Sequence, residues 1–347
     1  MLHFQNDYSE GAHPRVMQAL NYTNNMVTTG YGKDEYCAAA ADRLREVFRC
    51  PQAEVHFLVG GTQTNLVAAA AFLRPWEAMI AADTGHVAVH ETGAIEATGH
   101  KVLTAPAEDG KLTPDAIRRV VRDHQTGVEE HMVLPRMVYV SDSTELGTIY
   151  TLAELEALSA VCRELDLLFY LDGARMAAAL TAKGNDVRAV DFARLCDAFY
   201  VGGTKNAMLF GEALIVVNDA LKPFVRNVIK QRGAMLAKGR LLGVQFEALF
   251  RDNLWLETAS YANRQAQKLA AGLKAMGVEL YIESPTNQIF PIFPARIVEV
   301  LRGGFSFDFI TRLDDGRSVV RFCTSWATPR ENIDFLLYAV KWQLSAK

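Results

Sequence analysis

From about residue 35 to residue 220 the chain alternates apolar runs of strand length with longer stretches of helical period, and this alternation is what most limits the fold. Strands separated by helices pair in parallel, so the pattern predicts an α/β unit with a mostly parallel sheet and helices on both faces. Residues 36–49 (YCAAAADRLREVFR) read as an amphipathic helix and VHFLVGG as a strand ending in a glycine turn. TNLVAAAAFL reads as a buried helix, AMIAAD as a strand, the segment around EATG as a helix, and HKVLTA as a strand. A capped helix begins at LTPDAIRRVVRDH, then come the strand RMVYVSD and the amphipathic helix TLAELEALSAVCRELD. LLFYLD, DAFYVGG and ALIVVND complete the set of strands.

After ALKPF the pattern changes. RNVIKQRGAMLAKGRLLGVQFEALFRDN and WLETASYANRQAQKLAAGLKAMG are expected as long helices, followed by short strands, the glycine-rich LRGGFSF and a last helix, NIDFLLYAVKWQL. Residues 250–347 are therefore expected to form a smaller α+β domain. No repeat or heptad run supports a solenoid or coiled coil.

The 36 basic and 40 acidic residues leave a formal charge of −4, which offers no electrostatic footing for nucleic acid or an anionic membrane. Apolar runs such as Leu66 to Leu73 are too short to span a bilayer, and MLHFQNDYSE lacks the basic and apolar regions of a secretion signal, so a cytoplasmic location is expected. The five scattered cysteines include no CxxC and no histidine at zinc spacing; most are expected as core thiols, and no metal is expected.

Three segments carry chemistry. In VGGTQTN a glycine pair lies between a strand and a helix, where backbone amides and the Thr62 hydroxyl can meet a phosphate; a tight turn with a helix cap is the alternative, and the third glycine of GxGxxG is missing. In LFYLDGARM, Asp172 follows a buried strand, at the end of the sheet where ligands of open α/β folds sit, although Asp-Gly turns also arise for local reasons. In FYVGGTKNAMLFGEAL, Lys205 lies beyond another strand end, 33 residues after Asp172. That interval holds one helical crossover, so both residues are expected on one edge of the sheet, on neighbouring strands. A lysine among glycines and apolar residues is unusual on a surface, and a buried one has a depressed pKa and can form a Schiff base with a carbonyl. A phosphate cup, a carboxylate for a pyridine nitrogen and a lysine for an aldehyde are together what pyridoxal 5'-phosphate needs.

In order, NDYSEGAHP, GYGKDEY, GGTQTN, ADTGHVAVHETGA, DGAR, GGTKN and RFCTSWAT span nearly the whole chain. Through them it resembles the beta-eliminating lyase and threonine aldolase family of fold-type I pyridoxal-phosphate enzymes, most closely the low-specificity L-threonine aldolases. The resemblance implies a PLP-dependent transferase-like α/β fold: an N-terminal segment (1–30) at the subunit interface, a large domain (31–249) with a mostly parallel sheet of the seven-stranded type, and a small C-terminal α+β domain (250–347). It implies Lys205 as the Schiff-base lysine, Asp172 as the partner of the pyridine nitrogen, Gly61 and Thr62 as the phosphate cup with Thr204 beside them, and His86 stacked on the ring. Arg321 matches the arginine that grips the substrate carboxylate, with Arg175 as its helper. Tyr31 is placed near the cofactor, and Arg232 or Lys238 is a candidate to reach a neighbour's phosphate in a homodimer or tetramer with shared sites; a solvated helix face is the alternative for that basic stretch.

Two positions depart from the family's pattern. At the substrate site Asn6 stands where a serine is common, and Glu145 where a histidine is common. Glu145 would serve as the base for a substrate hydroxyl if burial raised its pKa, or else only order its loop; His90 is the other candidate base, directly or through water. The activity implied is cleavage of a β-hydroxy-α-amino acid such as L-threonine, L-allo-threonine or phenylserine to glycine and an aldehyde. β-Elimination and transamination are the rival reactions on the same cofactor. A non-catalytic cofactor-binding protein is the remote alternative, and an arginine for a substrate carboxylate argues against it.

Overall fold

The computed structural model describes residues 1–125 and 129–345. After a short strand β1 (Leu2–His3) come the seven strands of the central sheet: β2 (Glu54–Leu58), β3 (Glu77–Ala82), β4 (Val102–Ala105), β5 (Leu134–Ser141), β6 (Leu168–Asp172), β7 (Ala198–Gly202) and β8 (Glu212–Val216). Their spatial order is β2-β8-β7-β6-β5-β3-β4. From β7 to β4 the neighbours run parallel, and β8 is antiparallel to both β7 and β2. The expected mostly parallel sheet is therefore present. Because β4 lies on one side of β3 and β5 on the other, the order reverses at β3, and a crevice opens outside the carboxyl ends of β3 and β5.

Both faces of the sheet are covered. Met79 and Met137 lie in one buried cluster with Val67 and Tyr170, while their neighbours Ile80 and Val138 lie in another with Leu44, Phe48 and Phe169. This is the two-residue alternation of strands packed between helices. Helices Glu35–Phe48 and Leu152–Glu164 start where side chains cap them, Asp34 accepting from the Cys37 amide and Thr151 forming a capping box with Glu154. No helix among the described residues is long and apolar enough to cross a membrane.

A third core, with Leu269, Leu273, Ile297, Phe322 and Leu336, draws on the C-terminal part of the chain and on Phe4. There the strand Ser318–Cys323 pairs antiparallel with Asp308–Arg312, Ile292–Phe293 and Gln288–Ile289. β1 pairs in parallel with Phe305–Ser306, so the first residues of the chain belong to this core, which sequence periodicity did not reveal.

Two expected helices are corrected. Residues 226–253 form separate helices, Val225–Gln231 and Arg240–Phe250. Gly233 breaks the run with φ of +69°, and Gly239 packs so tightly on the Gly32 backbone that a Cβ would stand 2.5 Å from its nitrogen. Around EATG there is only a 3₁₀ turn, Glu96–Thr98, after a four-residue helix His86–Val89. The five cysteines are buried and free.

Candidate active site

Asp172 ends β6, and Lys205 lies three residues beyond the end of the adjacent parallel strand β7. The two strand ends interlock through their glycines. A Cβ on Gly173 would stand 2.1 Å from the Tyr200 carbonyl oxygen, and one on Gly202 2.4 Å from that of Ala174. DGAR and GGTKN therefore hold glycines for close backbone packing.

Asp172 is buried and held by three donors. Its Oδ2 accepts from the Tyr139 hydroxyl at 2.7 Å and Asn65 Nδ2 at 3.0 Å, and its Oδ1 from the Ala174 amide at 2.9 Å. Lys205 has no hydrogen-bond partner among the described residues. Its pKa falls below the ordinary lysine value through desolvation and then the charge of Arg175, against the pull of Asp7, Asp172 and Glu212. Beside it Glu212 accepts from the Gly203 amide at 3.1 Å and is pushed up to about 8 by burial. The Thr204 Oγ1 accepts from the Gly211 amide at 2.9 Å.

The helix Gly61–Phe72 begins at Gly60, which supplies no side-chain cap, so its first amides stay open with Thr62 exposed beside them. One turn on, Asn65 reaches Asp172, which sets the helix start close to the strand ends. A Cβ on Gly61 would stand 2.9 Å from the Tyr200 hydroxyl.

His86 and Glu145 meet across the crevice, where the His86 amide donates to Glu145 Oε1 at 3.0 Å; Ser141 Oγ donates to the same oxygen at 2.7 Å. Burial raises the Glu145 pKa, with the Ser141 hydrogen bond opposing. The His86 ring bonds Glu91 Oε1 through Nδ1 at 2.8 Å, and the His90 ring lies 5.5 Å from it. Burial, then the charges of His86, Arg321 and Lys205, lowers the His90 pKa.

Both expected carboxylate-binding arginines already hold a carboxylate of this chain. Arg175 donates to Asp7 through Nε at 2.7 Å and Nη2 at 2.9 Å. Arg321 pairs with Asp308 through Nη2 and with Gln288 through Nη1 at 3.1 Å, while its buried Nε has no partner among the described residues. Asp7, Arg175, Lys205, Asn287 and Trp326 line one cleft. Asn6 orders the adjoining turn, its Oδ1 accepting from the Tyr8 amide and the Ser9 hydroxyl.

Three expected residues are not brought to Lys205 within the chain. Tyr31 lines a separate cavity of about 310 Å³ with Asp34, His56 and Arg226, and the Lys230 ammonium sits 4.7 Å from its ring centre. Arg232 and Lys238 are exposed in the segment that joins the two broken helices. Sequence reasoning missed Asp7, Asn65, Glu91, Tyr139 and Glu212. Asn65, Asp7, Glu91 and Glu212 lie inside the GGTQTN, NDYSEGAHP, ADTGHVAVHETGA and FYVGGTKNAMLFGEAL segments, whereas Tyr139 sits in an apolar strand with no local signal.

The architecture is that of the fold-type I enzymes. A Thermus thermophilus aspartate aminotransferase, 16% identical, superposes with a TM-score of 0.73 over 99% of this chain and 91% of that one, a likeness of fold alone. The beta-eliminating lyase family model matches residues 7–294, and the chain belongs to this family. Low specificity L-threonine aldolases of Pseudomonas sp. (strain NCIMB 10558) and Pseudomonas aeruginosa are 34% and 33% identical over 346 residues, 99% of this chain and 98% of each of those. A solved Leishmania major threonine aldolase is 48% identical, with a TM-score of 0.97 over 99% of this chain and 100% of that one.

Proposed function

We propose that the chain is a pyridoxal 5'-phosphate-dependent carbon–carbon lyase that cleaves a β-hydroxy-α-amino acid, of the L-threonine, L-allo-threonine or phenylserine type, to glycine and an aldehyde. One observation carries the reading: Asp172 and Lys205 stand at the carboxyl ends of adjacent parallel strands, and Asn65, one turn into the helix that starts uncapped at Gly61, bonds Asp172. The donor set fits the cofactor. Open amides and Thr62 suit a phosphate, and Asp172, an acceptor fixed by three donors, suits a protonated ring nitrogen. Lys205, with its lowered pKa and unbonded amine, suits an aldehyde carbon.

When bound, the cofactor supplies a sink for the electron pair left on Cα as the Cα–Cβ bond breaks. The residues of the chain do the rest. Arg321, through its unpartnered Nε, and Arg175, through the edge left by Asp7, orient the substrate carboxylate and so select which Cα bond is cleaved. Glu145, whose carboxyl burial makes more basic, or His90 takes the β-hydroxyl proton; the oxygen then forms the aldehyde carbonyl, and a proton delivered to Cα gives glycine. Thr204, beside Lys205, is a further contact for the phosphate, and His86 covers the ring.

The reading includes a cytoplasmic homodimer or tetramer in which Tyr31, Arg232 and Lys238 serve a neighbour's site. It also divides the chain into an interface segment (1–30), a large domain (31–249) and a small one (250–347). The exposed positions of Tyr31, Arg232 and Lys238 support sharing. A fully active monomer would overturn it.

The test is to incubate the purified holoenzyme with L-threonine, L-allo-threonine and phenylserine and to couple the released aldehyde to a dehydrogenase. Absence of aldehyde from all three sinks the proposal. Pyruvate and ammonia from serine or cysteine would assign β-elimination, and amino transfer to a keto acid would assign an aminotransferase. Lys205→Ala should lose the borohydride-fixable cofactor adduct.

A further inference from the structure

Two buried side chains, Asn65 and Glu91, join the two halves of the site. Asn65 Nδ2 lies 3.0 Å from Asp172 Oδ2 and 2.8 Å from Glu91 Oε1, and Glu91 Oε1 lies 2.8 Å from His86 Nδ1. We propose that Glu91 is a positioning residue: with Asn65 it holds the His86 ring as the Nδ1–H tautomer, ties that ring to Asp172, and leaves Nε2 as its free acceptor. This deepens the function proposed above and rests on it where the reaction is concerned.

The hydrogen-bond directions follow from the partners. Asn65 Oδ1 accepts from the Tyr170 hydroxyl at 3.0 Å. Reversing the amide would set its oxygen against two carboxylate oxygens, so Nδ2 must face Asp172 and Glu91. Glu91 Oε1 already accepts from Asn65, so in its contact with His86 the ring nitrogen is the donor. Nε2 has no partner among the described residues. Glu91 and Asn65 are buried, so water does not compete for these bonds.

A second observation marks Glu91 as more than a packing residue. Its Oε2 is buried without a hydrogen-bond partner among the described residues. Leaving a carboxylate oxygen unmet in the interior costs stability, and a fold without another use for it would do better with an apolar side chain. The cost is explained if Oε1 is needed to orient His86.

The experiment uses cofactor-free protein labelled with 15N-histidine, in which two-bond proton–nitrogen spectra report each tautomer; the His86 signals are assigned by their loss in His86→Asn. The wild type is expected to show Nδ1–H at His86. Glu91→Ala should lose that preference, whereas Glu91→Gln should keep it, because Asn65 fixes the new carbonyl in place of Oε1. In the holoenzyme, Glu91→Ala should lower kcat about 100-fold with little change in KM, and Glu91→Gln should recover most of it. An Nε2–H tautomer in the wild type overturns the proposal whether or not any variant folds. So does an unchanged tautomer, or an unchanged kcat, in a folded Glu91→Ala. If the wild-type holoenzyme releases no aldehyde, the reaction is overturned, and the tautomer measured without cofactor decides the role of Glu91.

Discussion

Asp7 and Arg175, 168 residues apart, form a buried bidentate pair, Nε to Oδ2 at 2.7 Å and Nη2 to Oδ1 at 2.9 Å, that fastens the N-terminal segment to the turn after Asp172. Burial alone would raise the Asp7 pKa, but the charge and hydrogen bonds of Arg175 outweigh it and hold the carboxyl below its ordinary value. Asp7→Ala leaves the guanidinium buried without this partner and should destabilise the protein by about 3–5 kcal/mol in urea melts. Because the folded pKa is depressed, the pair's contribution is complete above pH about 4 and is lost as pH falls through the folded value. The stability gap between wild type and variant should therefore narrow only in acid; a gap that is constant down to pH 2 would contradict this.

Gly61→Ala places a methyl 2.9 Å from the Tyr200 hydroxyl. Crowding of this kind costs about 1–3 kcal/mol, and here it displaces the helix start proposed to hold the phosphate. Cofactor affinity should fall by about tenfold or more. Tyr200→Phe removes the crowding oxygen, so the double variant should regain much of that affinity, as read by cofactor titration.

Glu145 has a raised pKa, so as a base it becomes competent when pH rises through that value. The kcat profile should show an acid limb. Glu145→Gln should slow kcat by about 10²–10⁴-fold and remove that limb. A limb that survives in Glu145→Gln and disappears in His90→Asn would assign the base to His90.

Asp142 is pushed up to about 7 by burial, with only the Tyr150 amide at 3.4 Å bonded to its carboxylate among the described residues. A folded pKa above the unfolded one means that the stability this group contributes is complete below pH about 4 and is lost as pH rises to about 7. Asp142→Asn does not titrate and should gain on the wild type over that window, by about 3–4 kcal/mol at most. Thermal melts at pH 5 and pH 8 would show it; an equal difference at both would not fit.

Much of the frame was legible in the chain. Each strand from VHFLVGG to ALIVVND was marked by its own apolar run, and Asp172 and Lys205 were placed on neighbouring strand ends by one crossover's length between them. Arg232 and Lys238 were read inside a helix that does not continue, because the apolar period runs on through Gly233 and Gly239 while the backbone turns at the first and packs on Gly32 at the second. The Thr204 hydroxyl accepts from the Gly211 amide, a pairing across the turn between two strands that no period in the chain announces.

Alone, the sequence determined the alternation of strands and helices, the carboxyl ends where ligands gather, and the glycines that let those ends approach. These are local properties, written at spacings of two to four residues. Only the tertiary structure decided that Asn65 would join Asp172 to Glu91, that Asp7 would hold Arg175, and that Asp308 would hold Arg321. Such bonds depend on which strands become neighbours and on how the first residues return to the C-terminal core, and a buried polar side chain finds its partner by that packing rather than by any period in the chain.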